Sequence, residues 1–184
     1  GEYEQAEEQF LALAGMDVTD GRRVRAHYLA GRAALARKAY TRALSQFNRV
    51  LELADEPAVS EDERVGSYAL ESLFYKGDAL TELDRFDEAI VTFEQFQLQY
   101  PDSHLKYAAL GRKGDSQFTL GAQNPERYLE ALNSYRQVAE SNTELREVKL
   151  QSLYKVGRTL QALERTDEAL VAHQKVMDQY LREG

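Results

Sequence analysis

A short pattern recurs five times along this chain: an alanine, three residues, then a ring-bearing side chain. It reads Ala6–Phe10, Ala43–Phe47, Ala89–Phe93, Ala131–Tyr135 and Ala169–His173. A glycine stands twelve residues ahead of three of these alanines, as Gly31 before Ala43, Gly77 before Ala89 and Gly157 before Ala169. Ahead of Ala131 the matching Gly114 lies seventeen back, so that unit carries a five-residue insertion. Small residues at fixed offsets inside two helical patterns mark a repeated helix–turn–helix, whose helices approach closely only where side chains are small. Such a chain is an array in which each unit rests on its neighbours, and arrays bind more often than they catalyse.

Composition narrows the classes. The chain has 184 residues, which as a repeat array form one elongated domain, and 43% of them are hydrophobic, enough for a core. Only three prolines and eleven glycines leave long stretches free to be helical. The formal net charge of −8, with no block of clustered Lys and Arg, argues against nucleic acid and against an anionic membrane surface. With no cysteine there is no disulfide, thiolate metal site or cysteine nucleophile. No apolar run approaches the roughly 18–20 residues of a membrane span. Residues 1–6 already match the second half of a repeat (compare 82–89), so the sequence reads as starting mid-repeat, a piece of a longer protein.

Apolar spacing and break signals predict an all-α chain of about nine helices. A lone second-type helix at 2–14 precedes hairpins at 22–37 with 40–54, 62–83 with 86–100, 103–120 with 125–140, and 144–163 with 166–181. Leu73, Leu80, Phe86, Ala89, Ile90, Phe93 and Phe96 fall on the inward faces of the second hairpin. Ser60 with Glu63 and Ser141 with Glu144 have capping-box spacing. Asn124-Pro125 places a cap before a first-turn proline, and Pro101 stops the helix ending at Tyr100. The interval between repeats varies, with the surplus at 54–61 and 121–127, both read as surface loops. The predicted division is 1–18 for the second helix of a truncated repeat, then repeats at 22–57, 60–101, 102–141 and 143–184. The third carries its turn insertion at 121–127, and the last ends in a capping helix weakened on its apolar face by His173, Gln174 and Lys175.

These residues resemble the tetratricopeptide repeat (TPR) family along essentially the whole chain. The second hairpin matches best, with Gly77, Phe86, Ala89, Phe93 and Pro101. The first offers Gly31, Tyr40, Ala43 and Phe47, and the third Gly114, Tyr128, Ala131 and Tyr135. The fourth has Gly157 and Ala169, but Thr166 and His173 where aromatics are usual. The family's early Trp is absent, with Leu73, Leu110 and Leu153 in its place. The resemblance implies a right-handed superhelical solenoid. Narrower still, Phe93, Tyr100, Pro101, Asp102 and Ser103, followed by Gly114-Asp115, resemble bacterial envelope TPR proteins. Those include the lipoprotein of the outer-membrane β-barrel assembly machinery and the periplasmic partner of the Tol–Pal system. That resemblance favours a periplasmic or envelope setting over the cytoplasm.

The resemblance also implies where a partner sits. First helices line a concave groove, through their second, fifth, ninth and twelfth positions when the glycine is the eighth. The fifth holds Tyr28, Phe74, Gly111 and Tyr154; the ninth holds Arg32, Asp78, Asp115 and Arg158; Phe118 is a twelfth. The candidate partner-binding residues are therefore Tyr28, Arg32, Phe74, Asp78, Asp115, Phe118, Tyr154 and Arg158, an aromatic track beside a row of alternating charge. Such a face suits a peptide or protein segment. The alternative reading is internal: the aromatics fill space between hairpins, and Arg32 with Asp78 and Asp115 with Arg158 pair between repeats. The Lys and Asn of the family's carboxylate clamp are missing, and the two central aspartates favour a basic or amine-bearing segment.

No enzyme is predicted, and no cofactor or metal. His27, His104 and His173 lie in different repeats and read as lone histidines. Glu61-Asp62-Glu63 suits a helix N-terminus, and Glu2, Glu4, Glu7 and Glu8 read as a solvated helix face. Gly111 and Gly114 lack the strand–loop–helix setting of a phosphate loop. On the first helix, Tyr3, Ala6, Phe10 and Leu13 form a stripe without a partner helix, which predicts a homodimer through that end. The predicted function is a non-catalytic protein–protein interaction scaffold. The alternatives are a structural spacer or self-association module, or the regulatory region of a larger enzyme.

Overall fold

The computed structural model describes residues 1–15, 21–56 and 63–181. Among the described residues there are nine α-helices and no strand: α1 Glu2–Ala14, α2 Gly21–Ala36, α3 Tyr40–Ala54, α4 Glu63–Glu82, α5 Phe86–Gln99, α6 Lys106–Gly121, α7 Glu126–Ala139, α8 Arg146–Ala162 and α9 Thr166–Leu181. The capping pair Ser60 with Glu63, the acidic run 61–63 and most of the loop 54–61 lie outside the described residues or side chains. The chain packs as two compact units, Gly1–Thr92 and Phe93–Gly184, divided within α5.

In the first unit α1 packs on α2, α2 on α3 and α3 on α4, and the first helices α2 and α4 also touch. In the second unit α6 packs on α7, α7 on α8 and α8 on α9, and α6 touches α8. Each unit is therefore a stack of hairpins whose first helices form one face. The glycine-to-aromatic pattern explains the spacing. A Cβ on Gly31 would stand 2.7 Å from the Phe47 ring, one on Gly114 2.7 Å from Tyr135, and one on Gly157 2.5 Å from His173. These contacts are closer than side chains tolerate, so the glycine is what lets the ring of the following helix lie against the backbone. The core of the second unit joins Leu132, Tyr135, Val156 and Leu160 with Ala131, Ala169 and Ala172.

Three hairpin turns share one geometry. Lys38, Asp84 and Glu164 hold the left-handed conformation, at φ 61°, 58° and 59°. Each is followed by an N–H that reaches back five residues: Ala39 to the Ala34 carbonyl (2.8 Å), Arg85 to Leu80 (2.9 Å) and Arg165 to Leu160 (2.9 Å). That closure satisfies carbonyls at the helix end. The third hairpin, with its insertion, uses different chemistry. The Asn124 side-chain oxygen accepts from the Glu126 amide at 3.1 Å, which is the predicted cap, with Pro125 in the helix-initiating position.

Three local expectations need correction. Ser141 and Glu144 form no capping box: the Ser141 hydroxyl donates to the Val138 carbonyl at 2.7 Å, finishing α7 instead of starting α8. Thr143 then accepts from the Leu145 amide, and α8 begins at Arg146. Likewise Ser103 accepts from the Leu105 amide at 3.1 Å within a turn, so α6 begins three residues later than predicted. Glu7 does not lie on a solvated face. It is 1% exposed, receives the Arg37 Nε–H at 2.9 Å and faces Arg42 at 3.7 Å. Arg37 stands in the turn between α2 and α3, and Arg42 in the first turn of α3. They draw Glu7 inward, so α1 buries Glu7 and Ala14 while Tyr3 and Leu13 stay exposed and Ala6 and Phe10 are half-buried.

Candidate functional site

The first-helix face of the first unit is built from Tyr28 and Arg32 on α2 with Glu71, Phe74 and Tyr75 on α4. Tyr28 is 7% exposed and its hydroxyl donates to the Glu71 carboxylate, while Arg32 Nη1 donates to the Tyr28 oxygen at 2.7 Å. Burial, then the Glu71 hydrogen bond, pushes the Tyr28 hydroxyl pKa up to about 12. Arg32 lies 3.6 Å from Glu71 and 4.4 Å above the Tyr75 ring. Tyr68 stands 5.1 Å from Tyr28, ring to ring. Phe74 is 8% exposed and edge-on to Tyr75 at 5.4 Å. Tyr28, Arg32 and Phe74 thus come together, but as an interlocked cluster with Glu71, at the second groove position of α4, and Tyr75, which lies outside the groove positions. Asp78 is half-buried on α4, one turn beyond Phe74.

The corresponding face of the second unit is looser. Asp115, Phe118 and Arg158 are brought together with Thr119, Tyr135 and Lys155 around a recess of about 150 Å³. The predicted Asp115–Arg158 pair does not form. Lys155 takes Asp115 instead, its ammonium donating at 2.7 and 3.0 Å to the two carboxylate oxygens. The Tyr135 hydroxyl donates to the same carboxylate at 2.7 Å. Burial and the neighbouring Asp115 charge hold that phenol well above its ordinary value. The Arg158 guanidinium lies 5.5 Å over the Phe118 ring, and Phe118 in turn stands edge-on to Tyr128 at 5.2 Å. Tyr154 is 50% exposed, its ring 5.7 Å from His173. Gly111, at the fifth position of α6, leaves open space where a side chain would stand.

Lys155 is the main residue that sequence reasoning missed. It lies one turn before Thr159 and three residues before Arg158 on α8, outside the groove positions, and no spacing rule marks it. A wider cleft of about 700 Å³ opens among α7, α8 and α9, floored by Val156, Leu160 and Ala172. Part of its rim is internally matched, as Arg136 meets Glu168 at 3.6 Å. Among the described residues no group of three His, Cys, Asp or Glu could hold a metal, and no helix is long and apolar enough to cross a membrane. His27 instead exchanges a hydrogen bond with Gln46 at 2.8 Å, and burial lowers its pKa.

Two stretches match the tetratricopeptide repeat family, residues 1–57 and residues 71–103. No curated protein matches the sequence. Solved structures match over nearly its whole length. The TPR-like repeats of a putative kinesin light chain from Podosopora anserina superimpose with a TM-score of 0.74 at 17% identity, covering 98% of this chain and 87% of that one. MamA from Desulfovibrio magneticus RS-1 gives 0.73 at 17% identity, covering 100% of this chain and 88% of that chain. The Rap conjugation gene regulator of plasmid pLS20, in complex with the Phr* peptide, gives 0.65 at 16% identity. In that case 98% of this chain and 47% of the regulator are covered.

Proposed function

We propose that this chain, which carries tetratricopeptide repeats over residues 1–57 and 71–103, is a non-catalytic scaffold that holds a peptide or protein segment against its first-helix faces. The observation that carries this reading is the face of the second unit, where Phe118 and Arg158 line a recess and Tyr154 on the same helix as Arg158 stays half-exposed. Large rings give contact area at low rotamer cost, and an arginine supplies directed donors. The Rap regulator was solved with a peptide bound, which supports peptide capture as one use of this fold. A net charge of −8 without a basic cluster speaks against nucleic acid as the partner.

The test compares capture of partners from the source lysate by the wild-type chain and by Tyr154→Ala, matched for helicity by circular dichroism. Tyr154 suits this purpose because it is half-exposed, whereas Phe74 is buried and its removal would disturb the fold. A protein taken by the wild type and lost by the variant supports the groove. Capture by both moves the site elsewhere, and capture by neither favours a spacer. The string at 93–103 favours a bacterial envelope setting, and fractionation that leaves the protein wholly in the cytosol would remove that part.

A second reading, self-association, draws support from Tyr3 and Leu13 on α1, which stay exposed. It predicts a homodimer through that end. A strictly monomeric sedimentation profile at high concentration rules it out.

A further inference from the structure

The recess of the second unit has an unbalanced charge. Asp115 lies in it, but both its oxygens are engaged by Lys155 and one also by the Tyr135 hydroxyl. The Asp115–Lys155 pair cancels, and an incoming amine could reach Asp115 only by displacing Lys155. Arg158 is exposed, and among the described residues no carboxylate stands within ion-pair reach of it and no acceptor takes a hydrogen bond from it. Its contact is the Phe118 ring, 5.5 Å away, which steadies the planar guanidinium without using its donors. The recess is small, about 150 Å³, and a side chain fits in it.

We infer that this recess seats a carboxylate, the Asp or Glu side chain of a bound peptide, paired with Arg158 while its methylene groups lie on Phe118. A carboxylate matches the guanidinium fork with two parallel donors, which an amine or hydroxyl cannot do. The ligand of this unit is therefore acidic, opposite in sign to the basic segment that the two central aspartates suggested. The inference rests on the reading of this face as a peptide groove.

The experiment selects a random nonapeptide display library on the wild-type chain, on Arg158→Gln and on Arg158→Glu, each checked for helicity. Arg158 is exposed, so either substitution removes only its contact with the Phe118 ring. The expected result is one Asp or Glu position enriched by the wild type. The Gln or Asn analogue of the selected peptide should bind about tenfold more weakly to the wild type, the loss expected for one hydrogen-bonded charge, and no more weakly than the parent to Arg158→Gln. Arg158→Glu should enrich Lys or Arg at that position. Acidic preference retained by Arg158→Gln overturns the seat, as does enrichment of Lys or Arg by the wild type, and either leaves the groove standing. Enrichment of nothing by the wild type overturns the groove itself and the seat with it. Competition by acetate, present with the wild type and absent with Arg158→Gln, supports a carboxylate. Competition by inorganic phosphate without acetate overturns that identity.

Discussion

Tyr28 and Tyr154 occupy the same repeat position, as do Arg32 and Arg158, yet the two units use them differently. In the first unit the tyrosine is buried, its hydroxyl bound to Glu71, and the arginine is held between that carboxylate and the Tyr75 ring. In the second the tyrosine is half-exposed, and the arginine rests on Phe118 with no carboxylate in ion-pair reach among the described residues. The neighbours decide. Glu71 on α4 answers α2, while Asp115, which lines the same recess as Arg158, is already taken by Lys155 from the same helix as Arg158. A repeat position fixes where a side chain points from the helix axis, and the residue across the gap fixes whether it serves the fold or a ligand.

The contrast can be broken first where packing is tightest. Gly114→Val and Gly31→Val should each cost about 3 kcal/mol, at the upper end of overpacking penalties, since any Cβ meets a ring. Gly111→Ala, in open space on a helix, should gain about 0.5–1 kcal/mol. Urea unfolding of the three variants checks this, and equal effects would mean that glycine has no packing role. Next, Glu7→Ala should cost about 2 kcal/mol by removing the buried carboxylate that Arg37 bonds at 2.9 Å, leaving Arg37 only the exposed Glu4 at 3.3 Å, while Glu8→Ala, on the exposed side, should stay within about 0.5 kcal/mol.

The tyrosines give a pH test. Tyr28 titrates near 12 when folded against an ordinary 10.0, so it favours the fold fully below pH 10 and loses that contribution as pH rises toward 12. Stability should fall over that window, and Tyr28→Phe should flatten the fall. Tyr135 is raised as well, so the Tyr28→Phe, Tyr135→Phe double variant should flatten it further. An unchanged slope in both variants would show that neither hydroxyl is held. Small effects belong to the turns: Lys38→Gly and Glu164→Gly should each gain about 0.5–1 kcal/mol by relieving the left-handed residue, seen as a raised denaturation midpoint.

These differences also show what a sequence can carry. Helix bounds were legible within three residues, because the glycine, the alanine and the ring are local signals with a fixed offset. Gly114 facing Tyr135 follows from that offset even across the insertion. The partners of Glu7 and Asp115 were not legible. Whether Arg37 reaches α1, or Lys155 reaches α6, depends on how far one helix slides along another, and a 3.6-residue period says nothing about that shift. The Ser141 cap failed for a related reason: one hydroxyl can serve the end of α7 or the start of α8, and spacing does not choose.

The most direct measurement is the unfolding free energy of Arg32→Gln beside that of Arg158→Gln. Arg32→Gln should lose about 1.5 kcal/mol, as the Tyr28–Glu71–Tyr75 cluster forfeits its cation. Arg158→Gln should stay within about 0.5 kcal/mol of wild type, because its side chain holds nothing in the fold beyond the Phe118 ring. Equal losses would contradict the division between a sealed first unit and an open second one.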